Sequence, residues 1–166
     1  MNLKKNLNIA TILPYKENYT FEKASAASLW VFEFFQKSKH RKNNIIYGHT
    51  KSKNFLSKNY KNINLKNLKS KLKSTTNEYA EKFTKELINN NFDIVEIHNR
   101  PQLLFKLINK VQSKFIFYFH NDPLSMKGSK SVNERLKILK EVEKIIFVSE
   151  WVRVRFFFRY RSKITN

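Results

Sequence analysis

The chain has 166 residues, 41% of them hydrophobic and 14% aromatic, enough for one domain with a substantial core and short for two. Thirty-three Lys and Arg against 13 Asp and Glu give a formal charge of +20, which bears on anionic partners rather than on fold. The absence of cysteine excludes disulfides, thiolate nucleophiles and sulfur-ligated zinc, and no stretch approaches the roughly 18 to 20 apolar residues of a bilayer-spanning helix.

The basic start from Met1 to Lys5 leads into a short Ile/Leu run without a small-residue cleavage site, which predicts a cytoplasmic chain rather than a secreted one. Residues 7–13, closed by Pro14, have the length and composition of a buried strand. Over residues 24–38, Ala24, Ala27, Val31, Phe34 and Phe35 recur at helical spacing. Leu29, Trp30 and Phe32 fill other faces, so a helix buried around much of its circumference is expected. A second strand is predicted at 44–48, then a long mobile loop to Ser74 that includes a short strand near Ile63.

Thr75 and Glu78 form a capping-box pattern ahead of Tyr79, Phe83 and Leu87, and the triplet Asn89, Asn90 and Asn91 stops that helix. Strand 93–98, a helix from Pro101 to about Lys110, and an aromatic-rich strand 114–119 follow. Ser131 and Glu134 make another capping box, before a helix whose apolar face is read as Leu136, Leu139 and Val142, and 144–148 is the last strand. This alternation predicts right-handed crossovers and an α/β, Rossmann-like, doubly wound and mostly parallel sheet.

No carboxylate occurs between Glu33 and Glu78, while twelve Lys and Arg do, so this stretch carries over half of the net charge. A drift of composition toward Lys, Asn, Ile and Phe accounts for that excess as well as an anionic partner does. Leu65, Leu68 and Leu72 fall at helical spacing among Lys66, Lys69, Lys71 and Lys73, an amphipathic pattern suited to an anionic membrane surface.

Ligands of open parallel sheets bind at the carboxyl ends of strands. Three successive predicted strands end in Glu96-Ile97-His98-Asn99-Arg100-Pro101, in His120-Asn121-Asp122-Pro123 with Lys127-Gly128 beyond, and in Ser149-Glu150-Trp151. Any one of these is ordinary cap or loop chemistry, whereas the three together argue for a site.

The order of these clusters resembles the N-terminal domain of family 4 glycosyltransferases, over about Ile9 to Phe157, and is most similar to bacterial members that build lipopolysaccharide or other surface glycans. The resemblance implies a GT-B fold, in which this half holds a glycan or glycolipid acceptor and a second half holds a nucleotide diphosphate sugar. It implies retaining transfer of a hexose, with no cofactor and no metal. His120 takes the catalytic place, facing the reacting sugar. Substrate contacts fall to Ala24 and Ser25 in the glycine-free turn before the first helix, and to Glu96, His98, Asn99, Arg100, Asn121, Asp122, Lys127, Ser149 and Glu150. Asn121 and Asp122 either orient His120 or simply form a turn with Pro123. Lys66, Lys69, Lys71 and Lys73 are the expected membrane contacts of a peripheral protein on the inner face of the membrane.

The domain is expected to span 1–158, with 159–166 an atypical tail and the donor-binding half absent, so that this polypeptide alone is expected to transfer nothing. Two alternatives remain open: a noncatalytic basic module binding nucleic acid or an anionic membrane, and a partner subunit of a separate glycosyltransferase chain. No helix-turn-helix, zinc-ligand set or RNA-binding motif is found, so no specific nucleic acid is expected. The run Phe156 to Phe158 and an open interdomain face suggest self-association.

Overall fold

Six strands, β1 (Ile9–Ile12), β2 (Asn44–Gly48), β3 (Tyr60–Asn62), β4 (Ile94–His98), β5 (Lys114–Phe119) and β6 (Lys144–Phe147), form one sheet in a computed structural model that describes residues 6–65 and 74–160. Every pairing is parallel and the order is β3-β2-β1-β4-β5-β6. The expected Rossmann-like α/β sheet is therefore present, and it is all-parallel. Lys66, Lys69, Lys71 and Lys73, and the tail from Arg161, lie outside the described residues.

Five helices accompany the sheet: α1 (Ala26–Lys37), α2 (Thr75–Asn90), α3 (Pro101–Leu107), α4 (Val132–Glu141) and α5 (Glu150–Phe156). Side chains of a strand alternate between faces. On one face Ala10, Ile12, Tyr47, Val95, Ile97, Phe117 and Phe119 pack with Tyr79, Phe83 and Leu87 of α2, Leu103, Leu104 and Leu107 of α3, Ile138 of α4, and Val152 and Phe156 of α5. On the other, Leu13 and Ile46 pack with Val31 and Phe35 of α1. Among the described residues no helix is long and apolar enough to cross a membrane.

Several local expectations change. Helix α1 is buried along one side only: Ala27, Ser28, Val31 and Phe35 face inward, whereas Leu29 and Phe34 are exposed. Ser74, not Thr75, caps α2 by accepting from Asn77 N, so no capping box forms there and Glu78 pairs instead with Lys82 one turn on. Asn91 ends α2 in the left-handed region at φ 47°. The capping box of Ser131 and Glu134 is present.

The inward face of α4 is Arg135 and Ile138; of the expected apolar face, Leu136 and Leu139 are exposed, while Val142 at the end of the helix packs against the core. The burial of Arg135 is compensated by its guanidinium, which donates to the carbonyls of Ser129, Lys130 and Phe158. The loop from His49 to Asn59 is tied to the loop after β1, through the antiparallel bridge of Thr20 and Phe55 and through Leu56 N donating to Tyr19 O.

The phenylalanine run is divided by the same packing. Phe156 is fully buried against Phe119 and Phe147, while Phe157 and Phe158 are exposed. Phe156→Ala should lower the unfolding free energy by about 3–5 kcal/mol, against a change within about 0.5 kcal/mol for Phe158→Ala. Urea denaturation of the two variants checks this, and equal effects would place α5 outside the cooperative core.

Candidate functional site

The face of the sheet that carries α1 also carries a row of polar side chains. Register sets Thr11 beside Glu96, and His98 beside Tyr118. Thr11 Oγ1 lies 2.6 Å from Glu96 Oε2 and 3.1 Å from Asn44 Oδ1, and the Tyr118 hydroxyl donates to Glu96 Oε1 at 3.1 Å. A hydroxyl has one proton, so Thr11 cannot donate to both neighbours. Thr11 donates to one of them at a time: to Glu96 Oε2 when that carboxyl is ionised, and to Asn44 Oδ1 when a protonated Glu96 donates to Thr11 Oγ1. Burial raises the pKa of Glu96, against the opposing pull of the Thr11 and Tyr118 hydrogen bonds.

At the carboxyl ends of β4 and β5, His98 Nδ1 and His120 Nε2 share a hydrogen bond of 2.7 Å. His98 is 1% exposed and stacks on Tyr118 with ring centroids 4.4 Å apart. Trp30 of α1 covers the group, with ring centroids 5.2 Å from His120 and 6.0 Å from His98. Burial drives His98 far below the usual imidazole range, helped by the nearby His120, and burial holds His120 at about 4. Both rings are neutral at pH 7, and neither acts there as a fixed cation.

Asn99 follows β4 with φ 52°, a left-handed conformation that Asn tolerates better than most residues. Its Oδ1 accepts from the backbone N–H groups of both His120 and Asn121, at 2.8 and 3.3 Å. The turn after β5 is thus pinned to the turn after β4. His98 and Asn99 are the side chains that hold His120.

The other expected site residues are distributed around this centre. Asp122 caps the turn Pro123–Ser125 by accepting from Leu124 N, and it takes a two-pronged ion pair from Arg155 of α5 at 2.8 and 3.2 Å. Those Arg155 hydrogen bonds keep its carboxyl below the ordinary range. Asp122 therefore locks the turn to α5 and is not bonded to His120. Asn121 is exposed. The guanidinium of Arg100 lies 5.1 Å from the ring centroid of Tyr15, and its Nε is buried without a hydrogen-bond partner.

Lys127 is exposed, and the adjoining Gly128 has φ +92° and sits against α3, where an added Cβ would lie 3.0 Å from Pro101 Cβ. Ser149 caps α5 by accepting from Val152 N, and exposed Glu150 pairs with Arg153. Ser25 caps α1 by accepting from Ser28 N, and Ala24 packs partly buried against the Leu13 cluster. Glu96, His98 and Asn99 are buried, which makes them supports of the rim; His120 is the partly exposed member of the group.

Among the described residues no group of three or more His, Asp or Glu stands close enough to hold a metal ion. A cavity of about 510 Å³ opens between the loops after β1 and β2, lined by Tyr15, Lys16, Lys23, His49, Thr50 and Lys51 among others. Another, of about 990 Å³, lies at the amino ends of the strands beside Phe92, Ile94 and Lys114, at the far end of the sheet from His120. Thr11, Asn44, Trp30 and Tyr118 complete the centre without having been singled out in the sequence. The available signal was Glu96 and His98 two residues apart in an apolar strand, a spacing that puts both on one face.

The fold and the rim define an all-parallel, Rossmann-like α/β domain with polar groups gathered at the carboxyl ends of its strands. No protein-family model matches the chain, and a search of curated proteins finds no relative.

The titrations have opposite signs. His98 and His120 resist protonation in the folded state, so stability should fall as pH drops from 6.5 toward about 4, the interval in which only the unfolded chain takes up their protons. Glu96 holds its proton above the ordinary carboxylate value, so its contribution should be lost as pH rises from 4.5 through its higher folded value. Urea midpoints between pH 4 and 8 test both effects. His120→Gln should flatten the acid limb, and the stability of Glu96→Gln relative to the native chain should grow with pH; a Glu96→Gln difference independent of pH would contradict the raised pKa of Glu96.

Proposed function

We propose that this domain is the acceptor side of a glycosyl-transfer site, in the manner of the family 4 glycosyltransferases its motifs resemble. The observation that carries the reading is the hydrogen-bonded pair of His98 and His120, set by Asn99 at the carboxyl ends of β4 and β5. The strand order reverses at β1, and loops leaving β1 and β4 diverge there, which is where open α/β sheets take their ligands.

His120 would hydrogen-bond the reacting sugar or the incoming hydroxyl. A neutral imidazole suits that task, because it orients a hydroxyl and accepts charge only as charge develops. His98 would fix the ring, and its burial would keep the pair uncharged. The nucleotide diphosphate sugar would be held by a second Rossmann-like unit, and the acceptor would be a glycan or glycolipid hydroxyl. The net charge of +20 favours a second reading, a basic module that binds nucleic acid or an anionic membrane without chemistry.

Nuclear magnetic resonance titration of the full chain with mono- and disaccharides at 0.3 M salt separates the two. Sugar binding should move the His120 and Asn121 signals, and His120→Ala should weaken it by about tenfold, the loss of one good hydrogen bond. No response to any sugar, with nucleic-acid binding that disappears steeply as salt is added, would favour the basic module instead.

A further inference from the structure

The cavity between the loops after β1 and β2 has no role in the reading above. Lys16 and Lys23 belong to the first loop, and His49, Thr50 and Lys51 to the second. One carboxylate, Glu22, shares the lining, and Asn54 Nδ2 donates to it at 2.6 Å. Lys16 and Lys51 make no ion pair among the described residues.

The walls are cross-braced rather than loose. Phe21 N donates to Asn54 O, Leu56 N to Tyr19 O, and Thr20 bridges Phe55, so each loop is the other's hydrogen-bond partner. Thr50 is fixed three ways: its N–H and carbonyl bond the Asn62 side chain at 2.8 and 3.0 Å, and its hydroxyl donates to Asn18 Oδ1 at 3.2 Å. His49 Nδ1 lies 2.8 Å from the carbonyl of Ile63, which can only accept, so Nδ1 carries the proton and Nε2 is the nitrogen left for a ligand. A cavity with walls set in advance loses little entropy when it orders a small ligand.

Tyr15 connects this cavity to the His120 rim. It lines the cavity and carries the Arg100 guanidinium on its ring, and Arg100 follows Asn99, which holds His120. Tyr15 thus stands between the cavity lysines and Arg100, the residue that follows Asn99.

We propose that this cavity receives the phosphate of a phosphorylated sugar, the acceptor in the glycosyl-transfer reading on which the proposal rests, with Lys16, Lys23 and Lys51 as its counter-charges. The volume of about 510 Å³ suits a small ligand. Cations that are all lysines, acting as separate point charges, match a dianionic tetrahedral group, whereas a planar carboxylate is better served by the fork of an arginine.

The test is amide and histidine-ring shift titration of the full chain, at constant ionic strength, with glucose 6-phosphate, glucose, glucuronate and inorganic phosphate. Glucose 6-phosphate should move Lys16, His49, Thr50 and Lys51. Lys16→Ala combined with Lys51→Ala should weaken it by about tenfold or more, the loss of at least one charge-assisted hydrogen bond. Lys140→Ala on α4 should leave it unchanged. Equal binding of glucose, tighter binding of glucuronate, an equal effect of Lys140→Ala, or inorganic phosphate as good as the sugar phosphate would each overturn the proposal. If those outcomes come with sugar-induced shifts at His120, the phosphate site alone fails; if His120 is silent as well, the glycosyl-transfer reading fails with it.

Discussion

The pairing of β1 with β4 is the constraint on which the rest of the molecule depends. It joins residues 85 apart in sequence, Thr11 with Glu96, and puts the first strand in the middle of the sheet. With β1 central, the chain runs outward through β2 and β3 on one side and through β5 and β6 on the other. Right-handed crossovers in both directions send the loops after β1 and β4 to opposite sides, the place where open sheets of this kind take their ligands.

The same pairing creates a problem of polarity that the fold then resolves. A carboxyl and an imidazole on a central strand lose most of their water, and each must find partners or become neutral. Glu96 finds the Thr11 and Tyr118 hydroxyls while burial raises its pKa; His98 finds His120 while burial drives its pKa well down. Trp30 closes the group from above with an aromatic surface. The histidine at the rim is consequently oriented from below by a side chain that solvent does not reach, while the backbone around it is held by Asn99.

Long-range polar contacts do comparable work elsewhere. Asp122 clasps Arg155, joining the turn after β5 to α5, and Arg135 binds the Phe158 carbonyl, joining α4 to the chain beyond α5. The two loops around the cavity brace each other in the same way. Stiff loops on a stiff sheet make a rim that can hold a ligand without first having to be ordered.

Much of this was legible in the sequence, and the rest was not for identifiable reasons. The strand and helix alternation, the 44–48 and 114–119 strands, the capping box of Ser131 and the stop at Asn91 are local, and short-range sterics and hydrogen bonds decide them. The polar strand ends were equally visible, because residue type and position after a strand need no tertiary information. What the sequence could not decide was which side chains meet. Leu136 and Leu139 look like a buried stripe, yet α4 turns Arg135 inward, where its guanidinium donates to two carbonyls just before the helix and to Phe158 O, 23 residues on. Asp122 could orient His120 or simply form a turn with Pro123; it caps that turn, and Arg155, 33 residues away, takes its carboxylate. The His98 and His120 bond, the Thr11, Glu96 and Tyr118 row and the braced cavity all join segments far apart in the chain. Period and composition record which face a residue occupies within its own element; only the packing of elements decides what that face meets.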